Sequence, residues 1–251
     1  MVARAPRIAL LATVEDLLAI PEEVRRHELI EGALVEKGAA SGEHGAAQRK
    51  LSAHIDPFDR RPGGRWPGGW WFATEVEIHF DPTNVLRPDV SGWRRERVPD
   101  RPRGAPVRSR PDWVCEILST NRRNDLIKKK RVYHRHKVPH YWILDPAEET
   151  LSVYRWTPEG YVEILAAERG ERVHAEPFDA IPLDVSILFG DEDEDDEEDE
   201  TEAEAEAGAV TEAEAEAMAE AEAVTAAEAE AEAIREAEAE AATELTEVKS
   251  P

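Results

Sequence analysis

Two carboxylates stand where carboxylates are costly. Glu116 interrupts the apolar run Trp113-Val114-Cys115-Glu116-Ile117-Leu118, and Asp89 follows Pro88 in the segment before it. A carboxylate buried without a partner pays a heavy desolvation penalty or takes up a proton. A divalent metal shared by the two removes that penalty. Mg²⁺ suits such a site because it prefers oxygen donors and keeps several waters, with Mn²⁺ as the alternative ion. An ion held there activates a water and stabilises charge on a phosphoryl oxygen. The competing arrangement for Glu116 is a buried ion pair with an Arg or Lys.

Asp125, Lys129 and Tyr133 follow at intervals of four, which places them on one helical face. A lysine there can reach a metal site, hold an attacking water or offset the charge of a phosphate. The alternative is an Asp125–Lys129 surface pair contributing ~0.3–0.5 kcal/mol. Between Arg94 and Lys137 there are 15 Lys/Arg against five Asp/Glu, the charge footprint of a phosphate-binding face. Trp93, Trp113 and Tyr133 in this stretch are candidates for stacking on bases, although core packing suits Trp113 better. His134, His136 and His140 resemble a metal cluster in composition, but the first two fall on opposite helix faces. Gly-rich phosphate loops are missing from the sequence, and Ser119 lacks a nucleophile-elbow context.

The elements that must carry these groups follow from pattern. Thr13 caps a short helix that ends before Pro21. His27–Glu36 reads as a hairpin around Glu31-Gly32, and Glu43–Ile55 as a helix with Ala47, Leu51 and Ile55 spaced by four. Asp56–Gly69 is a Pro/Gly/Arg loop. Trp70–Phe80 and Val85–Trp93 read as strands, separated by a turn at Asp81–Asn84. Arg94–Pro111 is a long loop. Trp113–Leu118 and Tyr141–Leu144 read as strands buried on both faces, with a basic helix over Asn121–Lys137 between them. Leu151–Trp156 and Tyr161–Ala166 form a further hairpin. Interleaved strands and helices predict an α/β fold, a mixed sheet flanked by helices.

Charge divides the 251 residues into two parts. Residues 1–190 carry 29 acids and 29 bases, whereas 191–251 carry 26 acids and two bases. The second part opens with DEDEDDEEDE and continues in Glu-Ala alternation with few apolar residues. That composition predicts a disordered acidic tail. Its expected roles are solubility, competition with nucleic acid for the basic surface, or recruitment of a basic protein partner. No stretch approaches a membrane span, and the N-terminal apolar run is interrupted by Glu15 and Asp16 without a cleavage site. One cysteine, Cys115, excludes an internal disulfide. These features predict a cytoplasmic protein with no membrane partner.

Taken together, Glu28-Leu29-Ile30-Glu31-Gly32, His44, Arg87-Pro88-Asp89-Val90, Cys115-Glu116-Ile117-Leu118-Ser119, Asp125 with Lys129 and Tyr133, and Val138–Pro146 resemble the Uma-type putative restriction endonucleases of the PD-(D/E)XK nuclease superfamily. The resemblance implies a restriction-endonuclease-like fold over 1–190 and a metal-dependent endonuclease acting on DNA. It implies Asp89 and Glu116 as Mg²⁺ ligands, aided by the main-chain carbonyl of Ile117. Glu28 is then an acidic group that ligates or orients, and Lys129 the catalytic lysine, with Lys128 and Lys130 as neighbours able to substitute. One departure stands out: the superfamily pattern puts lysine two residues after Glu116, where this chain has Leu118. The alternative is therefore a catalytically inactive nuclease-fold module that binds DNA or protein and is regulated by its acidic tail. Double-strand cutting would call for a homodimer.

Overall fold

A computed structural model describes residues 11–119 and 122–191 of the chain. The acidic tail beyond Asp191 lies outside the described residues. So do positions 120 and 121 at the start of the expected basic helix. Among the described residues no helix is long and apolar enough to cross a membrane.

The chain opens with helix α1 (Val14–Leu18). Thr13 Oγ1 accepts the Asp16 amide and the Asp16 carboxylate accepts the Thr13 amide, as the sequence predicts. Strands β1 (His27–Ile30) and β2 (Ala33–Glu36) pair around Glu31-Gly32, both with positive φ. Helix α2 (Gly42–Ile55) starts at Ser41, whose hydroxyl accepts the His44 amide at 3.2 Å. It buries Ala47, Leu51 and Ile55 along one stripe.

The expected strand over 70–80 is two strands, β3 (Trp70–Thr74) and β4 (Ile78–Asp81). The expected strand over 85–93 is likewise β5 (Asn84–Leu86) and β6 (Val90–Arg94), divided at Arg87-Pro88-Asp89. In each case one half joins a different sheet. Pro88 has no amide proton for a ladder, and Glu75 takes a φ of 56°, so both breaks have a local cause. Strands β7 (Trp113–Ile117), β8 (His140–Asp145), β9 (Thr150–Thr157) and β10 (Gly160–Glu168) complete the larger sheet. Its order is β10-β9-β8-β7-β6-β3; a smaller sheet runs β2-β1-β5-β4. A short pair, β11 (Arg172–Val173) and β12 (Leu183–Asp184), and a 3₁₀ turn over Val185–Phe189 close the described part.

Within the large sheet only β7 and β8 are parallel. A parallel pair requires a crossover, and here it contains a π-helical turn over Asn124–Lys129 continuing into helix α3 (Lys130–Arg135). Alternation along β7 then sorts side chains by face. Trp113, Cys115 and Ile117 join the cluster with α2 and Phe178, whereas Val114 and Leu118 join Val132, Tyr133, Tyr141 and Ile143. Glu116 falls between Cys115 and Ile117 and shares the second face.

Trp113 is fully buried. Its ring centroid lies 5.4 Å from Trp142, 5.0 Å from Phe178 and 6.0 Å from Phe72. Gly92 permits that approach, since a Cβ there would stand 3.0 Å from the Phe72 ring and 3.2 Å from Trp113. Trp93 and Tyr133 are buried as well, so none of the three aromatics proposed for base stacking is available for it. Trp113→Ala is expected to cost about 3–5 kcal/mol, read as a lower urea midpoint. His140 is pushed down to about 4, chiefly by burial and secondarily by Arg94, so it folds neutral. The unfolded chain takes up that proton first, near pH 6.5. Stability should therefore fall between about pH 6.5 and pH 4, and His140→Gln should flatten that slope in denaturant titrations at stepped pH.

Candidate active site

The sequence-predicted residues converge on one cavity of about 380 Å³. Glu28 is an inward position of β1. Its Oε1 accepts the Arg87 amide at 2.7 Å, which ties β1 to the chain just before Asp89. Glu28 Oε2 faces the Lys129 ammonium at 3.1 Å. Lys129 also meets Glu116 Oε2 at 3.0 Å and Asp125 Oδ1 at 3.1 Å. The second oxygen of Glu116 accepts the Tyr133 hydroxyl. The four-residue spacing of Asp125, Lys129 and Tyr133 thus brings all three to one point, not to a surface pair. Of the three adjacent lysines only Lys129 enters; Lys130 lies over the Tyr154 ring at 3.4 Å.

Lys129 is only 2 % exposed. Burial favours its neutral form, but Glu116, Glu28, Asp125 and Asp89 outweigh burial and hold it well above the usual lysine range. Burial pushes Glu116 well up; Lys129 opposes this, while Asp125, Asp89 and Glu28 reinforce it. Burial likewise raises Asp125 against the pull of Lys129.

Asp89 sits at the mouth of β6. Its Oδ2 accepts the Ile117 amide at 2.6 Å, and its carbonyl accepts Gln48 Nε2 at 2.8 Å and the Glu75 amide at 3.2 Å. The contact with Ile117 is therefore through the amide of that residue. Asp89 Oδ1 receives the Lys37 ammonium at 2.8 Å. Burial would raise this carboxyl, but His44, Lys37 and Lys129 together hold it well below the usual carboxylate range.

Two participants carried no signal in the sequence. Lys37, just past β2, donates to both Glu75 oxygens at 2.8 and 2.7 Å and to the Arg87 carbonyl at 2.9 Å, besides Asp89. Glu75 lies in the break between β3 and β4, where it takes a positive φ and stays at the exposed rim of the cavity. Neither belongs to a periodic pattern, so both read as ordinary loop charges.

The donor set tests whether a metal fits. His44, Glu75 and Asp89 each offer a ligand atom within 4.8 Å of the others. His44 is 5 % exposed, and among the described residues its Nδ1 has no hydrogen-bond partner. Its Nε2 stands 3.3 Å from Asp89 Oδ1. Six carboxylates (Glu28, Glu36, Glu75, Asp89, Glu116, Asp125) line the cavity with four cations (Arg26, Lys37, Arg87, Lys129). Burial favours a proton on Glu75, Glu116 and Asp125, so what suits a divalent ion is the donor set, several carboxylate oxygens beside one imidazole. The residues present fit such an ion. His134, His136 and His140 form no such group: His134 meets the Thr157 carbonyl and His136 meets Asp81.

No curated protein matches the chain. The chain is similar in fold to the crystal structure of a putative nuclease belonging to DUF820 from Anabaena variabilis ATCC 29413. The TM-score is 0.56 at 24 % identity, covering 70 % of this chain and 97 % of the other. The profile of the Uma2 family, described as putative restriction endonuclease, matches residues 14–186. That span takes in both sheets, the crossover and every residue of the cavity, and the chain belongs to the Uma2 family.

Proposed function

We propose that the chain is a divalent-metal-dependent endonuclease that hydrolyses phosphodiester bonds in DNA, in the cytoplasm, with Mg²⁺ or Mn²⁺ as its ion. The observation that carries this reading is the cavity itself: His44, Glu75 and Asp89 offer ligand atoms within 4.8 Å of one another, beside the further carboxylates Glu28, Glu116 and Asp125. The family description and the nuclease-like fold support the same class of chemistry.

Asp89 is common to both ligand sets. The family resemblance pairs it with Glu116, and the geometry pairs it with His44 and Glu75. A bound ion would supply an activated water and offset charge on the phosphoryl oxygen. The protein's own groups do the rest. Lys129, kept protonated by three carboxylates, presents a fixed positive charge beside the site. Tyr133 fixes the orientation of Glu116 and Glu28 fixes the approach to Asp89. Lys37 sits among the ligand atoms with its side chain 20 % exposed, so it can withdraw to solvent when an ion or phosphate enters.

A second reading has a specific observation in its favour. Lys37 already satisfies Glu75 and Asp89, and Leu118 stands where the superfamily has lysine. A catalytically inert module that binds DNA or protein, alone or as a homodimer, would need nothing more.

Plasmid nicking separates the two. The metal-dependent reading expects cutting with Mg²⁺ or Mn²⁺, none in EDTA, and a loss of at least about a hundredfold in Asp89→Asn and Glu116→Gln, with unchanged circular dichroism. Equal activity in either variant removes that residue from the site, and salt-sensitive binding without cutting selects the inert module. Calorimetric Mn²⁺ titration checks the role of Lys37. Lys37→Met deletes a competing cation, so affinity should rise about tenfold or more by ordinary short-range electrostatics, whereas His44→Ala should lower it.

A further inference from the structure

Far from the carboxylate cavity lies a second feature with recognisable chemistry. Helix α2 leads away from His44 for about 16 Å at 1.5 Å per residue, and the chain then enters the loop over residues 56–69. This loop packs against a second one over residues 94–112. The Arg95 amide donates to the Gly69 carbonyl at 2.9 Å, and Arg95 Nε donates to the Trp70 carbonyl at 2.7 Å. Asp59 joins both loops by accepting Arg95 at 2.9 Å and Arg101 at 3.0 Å. Together the two segments carry ten arginines, no lysine and five acids. Four exposed arginines, Arg61, Arg65, Arg103 and Arg108, have no acidic partner among the described residues.

The aromatic residues here divide in two. Trp70 and Trp71 are covered by guanidinium groups: Arg94 lies 4.6 Å from the Trp70 centroid, and Arg95 and Arg101 lie 3.5 and 4.7 Å from that of Trp71. Trp66, in contrast, is 45 % exposed and, among the described residues, has Arg65 as the cation beside its ring, at 5.1 Å. The foot of its loop is fixed. The Gly69 amide donates to the Arg60 carbonyl at 2.8 Å, and Gly68 has a φ of 61° with no room for a Cβ, which would meet the Arg61 carbonyl at 2.7 Å. A rigid foot therefore presents a half-exposed indole with the Arg65 guanidinium beside it.

We propose that this arginine surface docks a nucleic-acid strand, its guanidinium groups on phosphates and Trp66 stacked on an unpaired base. Guanidinium forks match phosphate geometry in a way that ammonium groups do not, which accounts for the use of Arg alone. An indole 45 % exposed offers a base a stacking surface whatever the base's identity. The inference deepens the nuclease reading by placing a strand-binding element outside the cavity.

The test is fluorescence anisotropy of the full chain in EDTA, with a labelled 20-nucleotide single strand and the matching duplex at several salt concentrations. Trp66→Ala is expected to lose about tenfold in affinity for the single strand and little for the duplex, with Trp66→Phe retaining most of it. The triple replacement Arg65→Ala, Arg103→Ala, Arg108→Ala is expected to weaken both and to flatten the salt slope. Wild-type binding by these variants, equal loss of both substrates in Trp66→Ala, or no binding by the parent protein each overturns the proposal. Because EDTA removes cleavage, the outcome is independent of the nuclease reading: an inert site leaves this binding in place, and failure here leaves metal-dependent nicking in place.

Discussion

The arrangement depends on one ammonium group. Lys129 is buried to 2 % exposure, and a lysine so placed remains charged only if carboxylates surround it. Three do, and each comes from a different part of the chain: Glu28 from β1, Glu116 from β7 and Asp125 from the crossover. The ammonium therefore fastens the small sheet, the large sheet and the connecting helix to one point. Removing Lys129 would leave three buried carboxylates facing one another without compensation, so the three elements are constrained together. The π-helical turn over Asn124–Lys129 belongs to the same constraint. It lies in the segment that must bring Asp125 and Lys129 to a strand-borne glutamate while Tyr133, one turn later, reaches that glutamate's other oxygen.

The large sheet makes this arrangement affordable by separating its two faces. One face of β7 holds Trp113, Cys115 and Ile117 in a cluster of aromatic and aliphatic groups with α2 and Phe178. The opposite face holds Glu116 among Val114, Leu118 and Tyr133. The parallel β7–β8 pair obliges the chain to cross over, and the crossover delivers the basic helix to the face that carries the glutamate. Asp89 reaches the same region by another route. It stands at the entrance to β6, where Pro88 has ended the preceding strand, and its carboxylate is fixed by the Ile117 amide of the adjacent β7.

Much of this was legible in the residues. The Thr13 cap, the Glu31-Gly32 turn, the stripe on α2 and the two-faced burial of Trp113–Ile117 each depend on local chemistry, which a sequence displays directly. The glutamate within an apolar run and the four-residue repeat of Asp125, Lys129 and Tyr133 also pointed to the site. The two long strands over 70–80 and 85–93 were misread for one reason. Apolar content identifies extended chain but not the sheet to which each half belongs, and in both segments the chain changes sheets. Glu75 occupies one break and Asp89 the other, so the same irregularity that hid the topology placed two carboxylates together. Lys37 gave no signal because a single lysine after a short exposed strand looks like any other surface charge. Its role is defined only by Glu75 and Asp89, both distant in sequence.

The two lysines of the cavity differ in a way that bears on its chemistry. Lys129 is enclosed and tied to three carboxylates, so moving it would expose all three to one another in a medium that screens poorly. Lys37 lies at the mouth, with its side chain 20 % exposed and a flexible stem that reaches water. One cation is thus fixed and the other exchangeable, and the exchangeable one stands on Asp89 and Glu75, next to His44, whose Nδ1 is unpaired. A cation entering there would meet the least resistance, because the lysine it displaced would recover its hydration, and His44, Glu75 and Asp89 would be the residues to hold it. Glu116 differs from Asp89 in this respect: both of its oxygens are occupied, by Lys129 and Tyr133, and its burial favours a proton whenever nearby positive charge is withdrawn. The cavity therefore has a ready side, formed by Asp89, His44 and Glu75, and a guarded side, formed by Glu116. Lys129 sets the boundary between them.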